Sequence, residues 1–264
     1  MTQLNTAEVT LERDGDQVFI TLSNPGKLNA LTVSMWGQLQ AHMKAVSQDL
    51  DVRAVIIRGA DRQFAAGADI SEFQYVRTDL DSVMHYHTKV LAPALQEIAN
   101  CPHPVIAQIE GVCVGGGLEI AVQCDLRIAG QSARFGAPTN KLGLPMAPEE
   151  IRTLLSLAGP AVTRELLLEG RVFSAAEARE KGLLTRIVDD GEVAEEVLRA
   201  AARISDGGPL AARLNKQMIN RLLKSDAPLS IGELHDFFRY AETHDHKEGV
   251  RAFLAGESPT FTGD

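Results

Sequence analysis

Residues 113–124 read CVGGGLEIAVQC, three consecutive glycines that lead directly into an apolar, helix-like stretch with one acid, Glu119. Glycine lets a ligand approach the backbone closely, and the first turn of a helix carries N–H groups without intrahelical partners together with partial positive charge. Gly116 and Glu119 are three residues apart, so in a helix they share one face. The stretch therefore predicts a helix N-terminus that offers a backbone donor and a carboxyl group to one site.

Phosphate is the competing ligand for these glycines. The P-loop pattern ends in Gly-Lys-Ser/Thr, where this chain has Leu118 and Glu119, and a carboxylate beside a phosphate would repel it. The spacing also departs from the G-x-G-x-x-G dinucleotide pattern. Taken alone, Glu119 is more typical of a first-turn acid stabilised by the helix dipole, so a functional interpretation needs a second feature.

That second feature is the small-residue segment QFAAGADI, residues 63–70. It follows the apolar segment AVIIRG at 54–59, and its Ala and Gly residues leave a backbone N–H without side-chain cover. Two donors from two such loops could converge on one oxygen. A tight turn into a helix that starts near Asp69 or Ser71 is the alternative.

Around these two loops the patterning predicts an α/β fold. Alternating segments on both sides of Asp14-Gly15-Asp16 predict a hairpin, and apolar steps of three and four after Thr32 predict a capped helix. Further strands are expected at 54–59, 105–111 and 125–130, with a helix over about 80–100. From Pro160 the pattern is almost wholly helical, and SDGGP at 205–209 is a candidate boundary.

Composition narrows the function classes. The 264 residues carry a formal net charge of −9, which argues against a surface built to hold nucleic acid or anionic membrane. No apolar run approaches the ~18 residues that span a bilayer, and the N-terminus lacks a targeting pattern, so a cytoplasmic protein is expected. Cys101, Cys113 and Cys124 have no paired spacing and are expected to be reduced, buried thiols.

Six segments in register identify a family resemblance. The chain resembles the crotonase, or enoyl-CoA hydratase/isomerase, superfamily over roughly residues 6–262. The segments are NPGKLNAL, FAAGADI, GVCVGGGLEIAVQCDLRIAG, FGAPTNKLGL, ELLLEGRVFSAAEAREKGLLTRIV and KEGVRAFL with SPTF.

The resemblance implies an architecture and a substrate class. It implies a spiral of ββα units at residues 1–204 and a C-terminal helical region at 205–264 that builds homotrimers, often paired into hexamers. The implied substrate is an acyl-CoA thioester, so coenzyme A enters as part of the substrate, with no permanently bound cofactor and no metal. The implied reaction is of the hydratase or isomerase type.

The resemblance also assigns roles to residues. It implies that the backbone N–H groups of Ala68 and Gly116 form an oxyanion hole for the thioester carbonyl, with Glu119 as acid or base. Positions near the coenzyme A moiety are expected in the two loops before that site: Lys27, Leu28, Ala66, Asp69 and Ile70.

One position departs from the family pattern. Hydratases of this family place a second glutamate in an F-G-x-P-E segment, whereas this chain reads FGAPT and has Thr139 there. A hydroxyl cannot serve as a general acid or base near neutral pH, whereas a carboxyl group tuned by burial can. A thioester hydrolase and a CoA-ester binder with little turnover therefore remain as alternatives to a hydratase or isomerase.

Other titratable residues near the expected site are expected to have structural roles. Glu149 and Glu150 follow Pro148 at a predicted helix start, where a first-turn acidic pair is ordinary, although either is a candidate replacement acid. His85 and His87 lie on a polar helical segment and are expected to face solvent.

Overall fold

The computed structural model describes residues 6–264, in which nine strands alternate with helices. The strands are β1 (Glu8–Asp14), β2 (Gln17–Ser23), β3 (Ala54–Gly59), β4 (Val105–Ile109), β5 (Val112–Val114), β6 (Leu126–Gly130), β7 (Arg134–Gly136), β8 (Val172–Ser174) and β9 (Arg186–Val188).

Eleven α-helices lie in the same described range. They are α1 (Val33–Ser47), α2 (Phe73–Val76), α3 (Leu80–His85), α4 (Ala92–Asn100), α5 (Gly116–Gln123), α6 (Pro148–Arg164), α7 (Ala175–Glu180), α8 (Val193–Ser205), α9 (Pro209–Lys224), α10 (Ile231–Phe238) and α11 (His244–Ala255). Two π-helical segments, Tyr86–Leu91 and Glu165–Glu169, follow α3 and α6, and 3-10 turns include Ile70–Glu72 and Pro138–Leu142.

Two sheets organise these elements. The larger has the order β1-β2-β3-β4-β6-β9, with β1 antiparallel to β2 and every later neighbour parallel. The smaller has the order β5-β7-β8, with β5 parallel to β7. The predicted hairpin is confirmed, because Asp14 pairs with Gln17 across Gly15, which has φ +59.

The chain advances in repeated ββα turns. β4, β5 and α5 form one turn, and β6, β7 and α6 form the next, each with one strand in either sheet. The turn before these begins with β3. In place of a second strand it has a single β-bridge between Ala65 and Cys113, after which the chain enters α2. The predicted α/β spiral of ββα units is therefore confirmed, and its geometry stacks the segments after β3 and β5 side by side.

The parallel strands are buried on both faces, which explains their continuous apolar sequences. Val55 and Ile57 of β3 face the main core with α1 and α4, whereas Ala54 and Ile56 pack with α8 on the other face. Thr32 caps α1 as expected, accepting a hydrogen bond from the Met35 N–H. The three cysteines are buried and unpaired, as predicted.

The expectation of an almost wholly helical chain after Pro160 is wrong at two places. β8 and β9 are strands of only three residues each, too short for alternation to stand out between helical segments. Pro160 also lies inside α6 rather than at its start, because Gly159 takes φ +74 and kinks the helix there.

The C-terminal helices contact the spiral through polar groups. Lys216 of α9 pairs with Asp125 at 2.6 Å and donates to the carbonyl of His103. Arg53 donates to the carbonyl of Phe261 near the C-terminus. The division at residue 205 stays a prediction. Across residues 6–264, none of the helices is both long and apolar enough to cross a bilayer.

Candidate active site

Two loops meet where the first and second ββα turns stack. The N–H of Ala65 donates to the carbonyl of Val112 at 2.9 Å, and the N–H of Val114 donates to the carbonyl of Ala65 at 3.1 Å. On its other side the first loop is held by Leu31, whose N–H donates to Gly67 and whose carbonyl accepts from Asp69. These bonds fix the loop on both flanks of Ala68.

Ala68 and Gly116 present their amides close together. A Cβ placed on Gly67 would lie 3.5 Å from the nitrogen of Gly116, and one placed on Gly116 would lie 3.6 Å from the nitrogen of Ala68. Within residues 6–264 neither N–H donates to a backbone carbonyl, because Gly116 is the first residue of α5 and Ala68 lies between bonded neighbours. The two donors that the sequence predicted are therefore adjacent and available.

The glycines are needed for this approach. Gly115 takes φ +50 and Gly67 takes φ +98, a region that side-chain-bearing residues rarely adopt. A Cβ on Gly117 would overlap the carbonyl oxygen of Ala65. The triplet thus forms one unusual turn and allows close contact between two backbones, and the Gly116 N–H is left without a backbone acceptor.

The paired amides open onto a cavity of about 270 Å³. Ligand pockets commonly measure roughly 300–1,000 Å³, so this one suits a small group. Its wall is formed by the two loops and by side chains from the helices above them: Ala66, Gly67, Ala68, Ile70, Phe73, Arg77, His87, Leu91, Val114, Gly115, Gly116, Glu119, Pro138, Thr139, Lys141, Leu142, Leu144, Pro145 and Met146.

Glu119 is the carboxyl group in that wall. Its residue is 8% exposed, and burial, together with the nearby Glu150, raises its pKa to about 8, against a smaller opposing effect of Arg77. The group is therefore mostly neutral at pH 7. A neutral carboxyl group can donate a proton from its hydroxyl and accept another on its carbonyl oxygen. An ionised carboxylate can only accept a proton.

Glu150 corrects the sequence-based expectation for its helix turn. Glu149 is the ordinary first-turn acid, with a side chain 63% exposed, but Glu150 is 2% exposed and its Oε2 has no hydrogen-bond partner. Burial raises the pKa of Glu150 to about 7. Glu150 does not line the cavity, so it acts on Glu119 through charge rather than by facing the same space.

Arg77, Tyr86 and His87 are the site residues that sequence reasoning missed. The guanidinium carbon of Arg77 lies 4.0 Å from the ring centroids of both Phe73 and Tyr86, and the Tyr86 hydroxyl accepts from the indole of Trp36 at 3.1 Å. The expectation that His87 faces solvent is wrong, because His87 lines the cavity, whereas His85 is exposed as expected. Residues two apart on a helix point in nearly opposite directions, which was the available signal.

The remaining predicted residues take different positions. Thr139 lines the cavity with Glu119, and Ala66 and Ile70 line it near the paired amides. Lys27 lies outside the cavity wall and forms a salt bridge of 2.7 Å with the buried carboxylate of Asp69. This salt bridge holds the loop that carries Leu28, which is half exposed.

Three residues whose side chains could together hold a metal ion lie outside the cavity wall. His244, Asp245 and Asp264 each place one ligand atom within 4.8 Å of the others. The carboxylate of Asp245 already accepts hydrogen bonds from the N–H groups of Thr262 and Gly263, at 2.7 and 3.0 Å. Asp245 thus anchors the C-terminal tail.

The raised pKa of Glu119 predicts a pH-dependent stability. Between its ordinary pKa of 4.5 and about 8 the folded state keeps a proton that the unfolded chain loses, so the free energy of unfolding falls as pH rises through this range. Glu119→Gln cannot ionise and escapes this loss. Urea unfolding at pH 5.5 and 8.5 should show the variant gaining about 2–4 kcal/mol relative to wild type at the higher pH.

The exposed Glu149→Gln is the matched control and should give the same difference from wild type at both pH values. An equally pH-independent difference for Glu119→Gln would contradict the assigned pKa.

Comparison with known proteins identifies the family of this chain. Residues 14–264 match the family model described as enoyl-CoA hydratase/isomerase. A protein of Rhizobium meliloti named probable enoyl-CoA hydratase is 36% identical over 252 residues, covering 95% of this chain and 96% of the relative. A short-chain-enoyl-CoA hydratase of Clostridium acetobutylicum is 31% identical, covering 93% and 94%.

Solved structures give the same result. A crystal structure of an enoyl-CoA hydratase/carnithine racemase from Magnetospirillum magneticum superposes with a TM-score of 0.94 at 42% identity, covering 97% of this chain and 96% of that one. A putative enoyl-CoA hydratase/isomerase family protein from Hyphomonas neptunium gives 0.92 at 36% identity, with coverages of 97% and 98%. The chain belongs to the enoyl-CoA hydratase/isomerase family of enzymes.

Proposed function

We propose that this enzyme hydrates 2-enoyl-CoA thioesters, with the N–H groups of Ala68 and Gly116 bound to the thioester oxygen and Glu119 as the acid–base group. The observation that carries the proposal is the placement of a neutral, buried carboxyl group in the same small cavity as two free, adjacent amides. Water addition to the enoyl group turns the thioester into an enolate. Two preset donors stabilise the negative charge where it develops.

The loops beside the cavity are proposed to bind coenzyme A. Ala66 and Ile70 line the cavity beside the amides, and the exposed Leu28 and Lys27 lie on the adjoining loop, where Lys27 pairs with the buried Asp69. These five residues are proposed to contact the nucleotide and pantetheine portion, which enters with each substrate. No separate permanently bound cofactor is required by this chemistry.

A single carboxyl group can complete the addition if it is neutral. Its hydroxyl gives a proton to Cα while its carbonyl oxygen takes a proton from the water that attacks Cβ. The carboxyl group ends neutral with its two oxygens exchanged in role, so one water is consumed and no other acid is needed. The raised pKa of Glu119 supports this series of proton transfers, because it keeps the Glu119 carboxyl group protonated at neutral pH.

Thr139 and Glu150 have supporting roles in this proposal. The Thr139 hydroxyl lines the cavity and is suited to hold the attacking water by hydrogen bonding, since it neither gains nor loses a proton near pH 7. Glu150 keeps the proton on Glu119, because its charge is one of the causes that raise the pKa of Glu119.

The test is the pH dependence of crotonyl-CoA hydration, followed by loss of the enoyl absorbance. Since hydration requires neutral Glu119, kcat/KM should be highest at or below pH 7 and fall about tenfold per pH unit above about 8. A rate that increases with pH through this range would contradict the proposed acid form. No turnover at high enzyme concentration would rule out hydration of this substrate.

Isomerisation is the second candidate, favoured by the fact that Glu119 is the one carboxyl group lining the cavity among residues 6–264. One carboxylate can remove a proton from Cα and return it to Cγ. That reaction needs the ionised form, so its rate with 3-butenoyl-CoA would increase with pH up to about 8. The opposite slopes of the two pH profiles separate the reactions. Binding of acyl-CoA without turnover of either substrate would favour a CoA-ester binder.

We also propose that the C-terminal helices join copies of this chain into a trimer or a dimer of trimers. The support is a set of large exposed apolar side chains on α9, α10 and α11, including Leu223, Ile231 and Phe253. Sedimentation equilibrium should give three or six times the 28.5 kDa chain mass.

A further inference from the structure

We propose that the preferred substrate carries a carboxylate at the end of a short acyl chain, opposite the thioester, and that this carboxylate pairs with Arg77. The inference rests on the proposed function only in taking the ligand to be an acyl-CoA thioester. It adds a substrate class, the mono-CoA esters of short dicarboxylic acids.

Arg77 is a cation in the cavity wall that forms no salt bridge with the residues of the described range 6–264. Its guanidinium carbon lies 4.0 Å from the ring centroids of Phe73 and Tyr86, so the two rings hold the group in place. Within residues 6–264 no carboxylate oxygen lies within 4.0 Å of its nitrogens, and its buried Nε has no hydrogen-bond partner. Arg77 lines the cavity, so a ligand carboxylate bound there would pair with the charge of its guanidinium group.

His87 provides a second unpartnered group in the same wall. Its Nδ1 is buried without a hydrogen-bond partner, and both His87 and Arg77 line the cavity. Buried polar atoms without partners are rare in native proteins. Two polar side chains in the same cavity wall therefore favour a polar end on the bound acyl group over a hydrocarbon end.

Arg77 lies at the acid end of the site. It is near enough to Glu119 and Glu150 to act on both carboxyl groups by charge. The nucleotide phosphates of coenzyme A are bulky, and the whole cavity measures only about 270 Å³. The anion that meets Arg77 therefore belongs to the acyl group, and the chain that connects it to the thioester is short.

Arg77 could instead serve only to adjust the charge state of Glu119. That role changes the pH profile and gives no preference for one acyl end over another. A comparison of ligands that differ only at the acyl end separates the two roles, and saturated esters keep turnover out of the measurement.

The experiment is calorimetric titration with glutaryl-CoA and pentanoyl-CoA, two saturated five-carbon thioesters that cannot be hydrated. Wild type should bind glutaryl-CoA about 10- to 100-fold more tightly, the usual gain from a hydrogen bond to a charged group. Arg77→Gln should reduce this ratio to below threefold, and Arg77→Lys should retain part of it. Arg203→Gln, which removes a cation that is 54% exposed on α8, should leave the ratio unchanged.

Dissociation constants within twofold of each other in wild type would overturn the inference, and that result needs no variant to fold. A preference that survives Arg77→Gln would also overturn it. The crotonyl-CoA assay tests the proposed hydratase function separately. A preference for glutaryl-CoA without hydration of crotonyl-CoA contradicts only the hydratase function. Hydration without glutaryl preference contradicts only the assignment of Arg77.

Discussion

Glu119→Gln is expected to lower kcat for crotonyl-CoA hydration by about 10²–10⁴-fold, the usual contribution of a positioned acid–base group. Glutamine has nearly the same shape and can hold the water, but it cannot give a proton to Cα. Substrate affinity should change little, because the amides of Ala68 and Gly116 and the loops around them are untouched. Steady-state kinetics should therefore show the loss in kcat, with KM within a few-fold of wild type.

Glu149→Gln is the control for this experiment, since its side chain is exposed on the same helix turn as Glu150. We expect it to retain at least half of the wild-type kcat. If Glu119→Gln also retained half of the wild-type rate, Glu119 would not be the acid–base group, and another residue would have to supply the proton.

Ala68→Pro is expected to lower kcat/KM by about 10²–10³-fold, because proline removes the N–H that is proposed to bind the developing oxyanion. The substitution removes no backbone hydrogen bond, since the Ala68 N–H donates to no backbone carbonyl and the flanking bonds use Gly67 and Asp69. Far-ultraviolet circular dichroism and the melting temperature would confirm that the variant folds.

Ala68→Gly keeps the N–H and removes only a methyl group, so it should stay within a few-fold of wild type. Equal losses in Ala68→Pro and Ala68→Gly would point to loop disorder. A folded Ala68→Pro enzyme with wild-type kcat/KM would show that this amide does not stabilise the transition state.

Much of the fold was predictable from local patterns. The hairpin at Gly15 and the helix capped by Thr32 each depend on a few neighbouring residues, and both are confirmed. The short strands β8 and β9 were missed because three residues give no measurable alternation, and they form only by pairing with β7 and β6. The π-helical segment Tyr86–Leu91 likewise has no distinct sequence pattern.

The candidate site was predictable where backbone chemistry defines it. The small-residue loops after strands indicate two backbone donors, the family resemblance assigns these donors to Ala68 and Gly116, and the helical spacing places Glu119 on the same face as Gly116. Glu150 and Arg77 were not predictable, because their importance comes from long-range packing. Glu150 looked like any first-turn acid until the fold buried it, and the rings that hold Arg77 come from two separate segments.

Glu119, Glu150 and Arg77 act as one electrostatic group. Burial and the charge of Glu150 raise the pKa of Glu119, and Arg77 opposes that shift. Thr139 stands where the family resemblance implies a second glutamate, and a buried carboxyl group nearby, Glu150, favours the protonated form of Glu119. In the proposed hydration, this protonated form is what allows Glu119 to act as the single acid–base group.

A crystal structure with a bound, non-reactive acyl-CoA tests the central claim most directly. The thioester oxygen should lie about 2.7–3.1 Å from the nitrogens of both Ala68 and Gly116. The Glu119 carboxyl group should face the Cα and Cβ carbons of the acyl chain. A thioester oxygen bonded to neither amide, or an acyl chain outside the cavity lined by Glu119, would contradict the account.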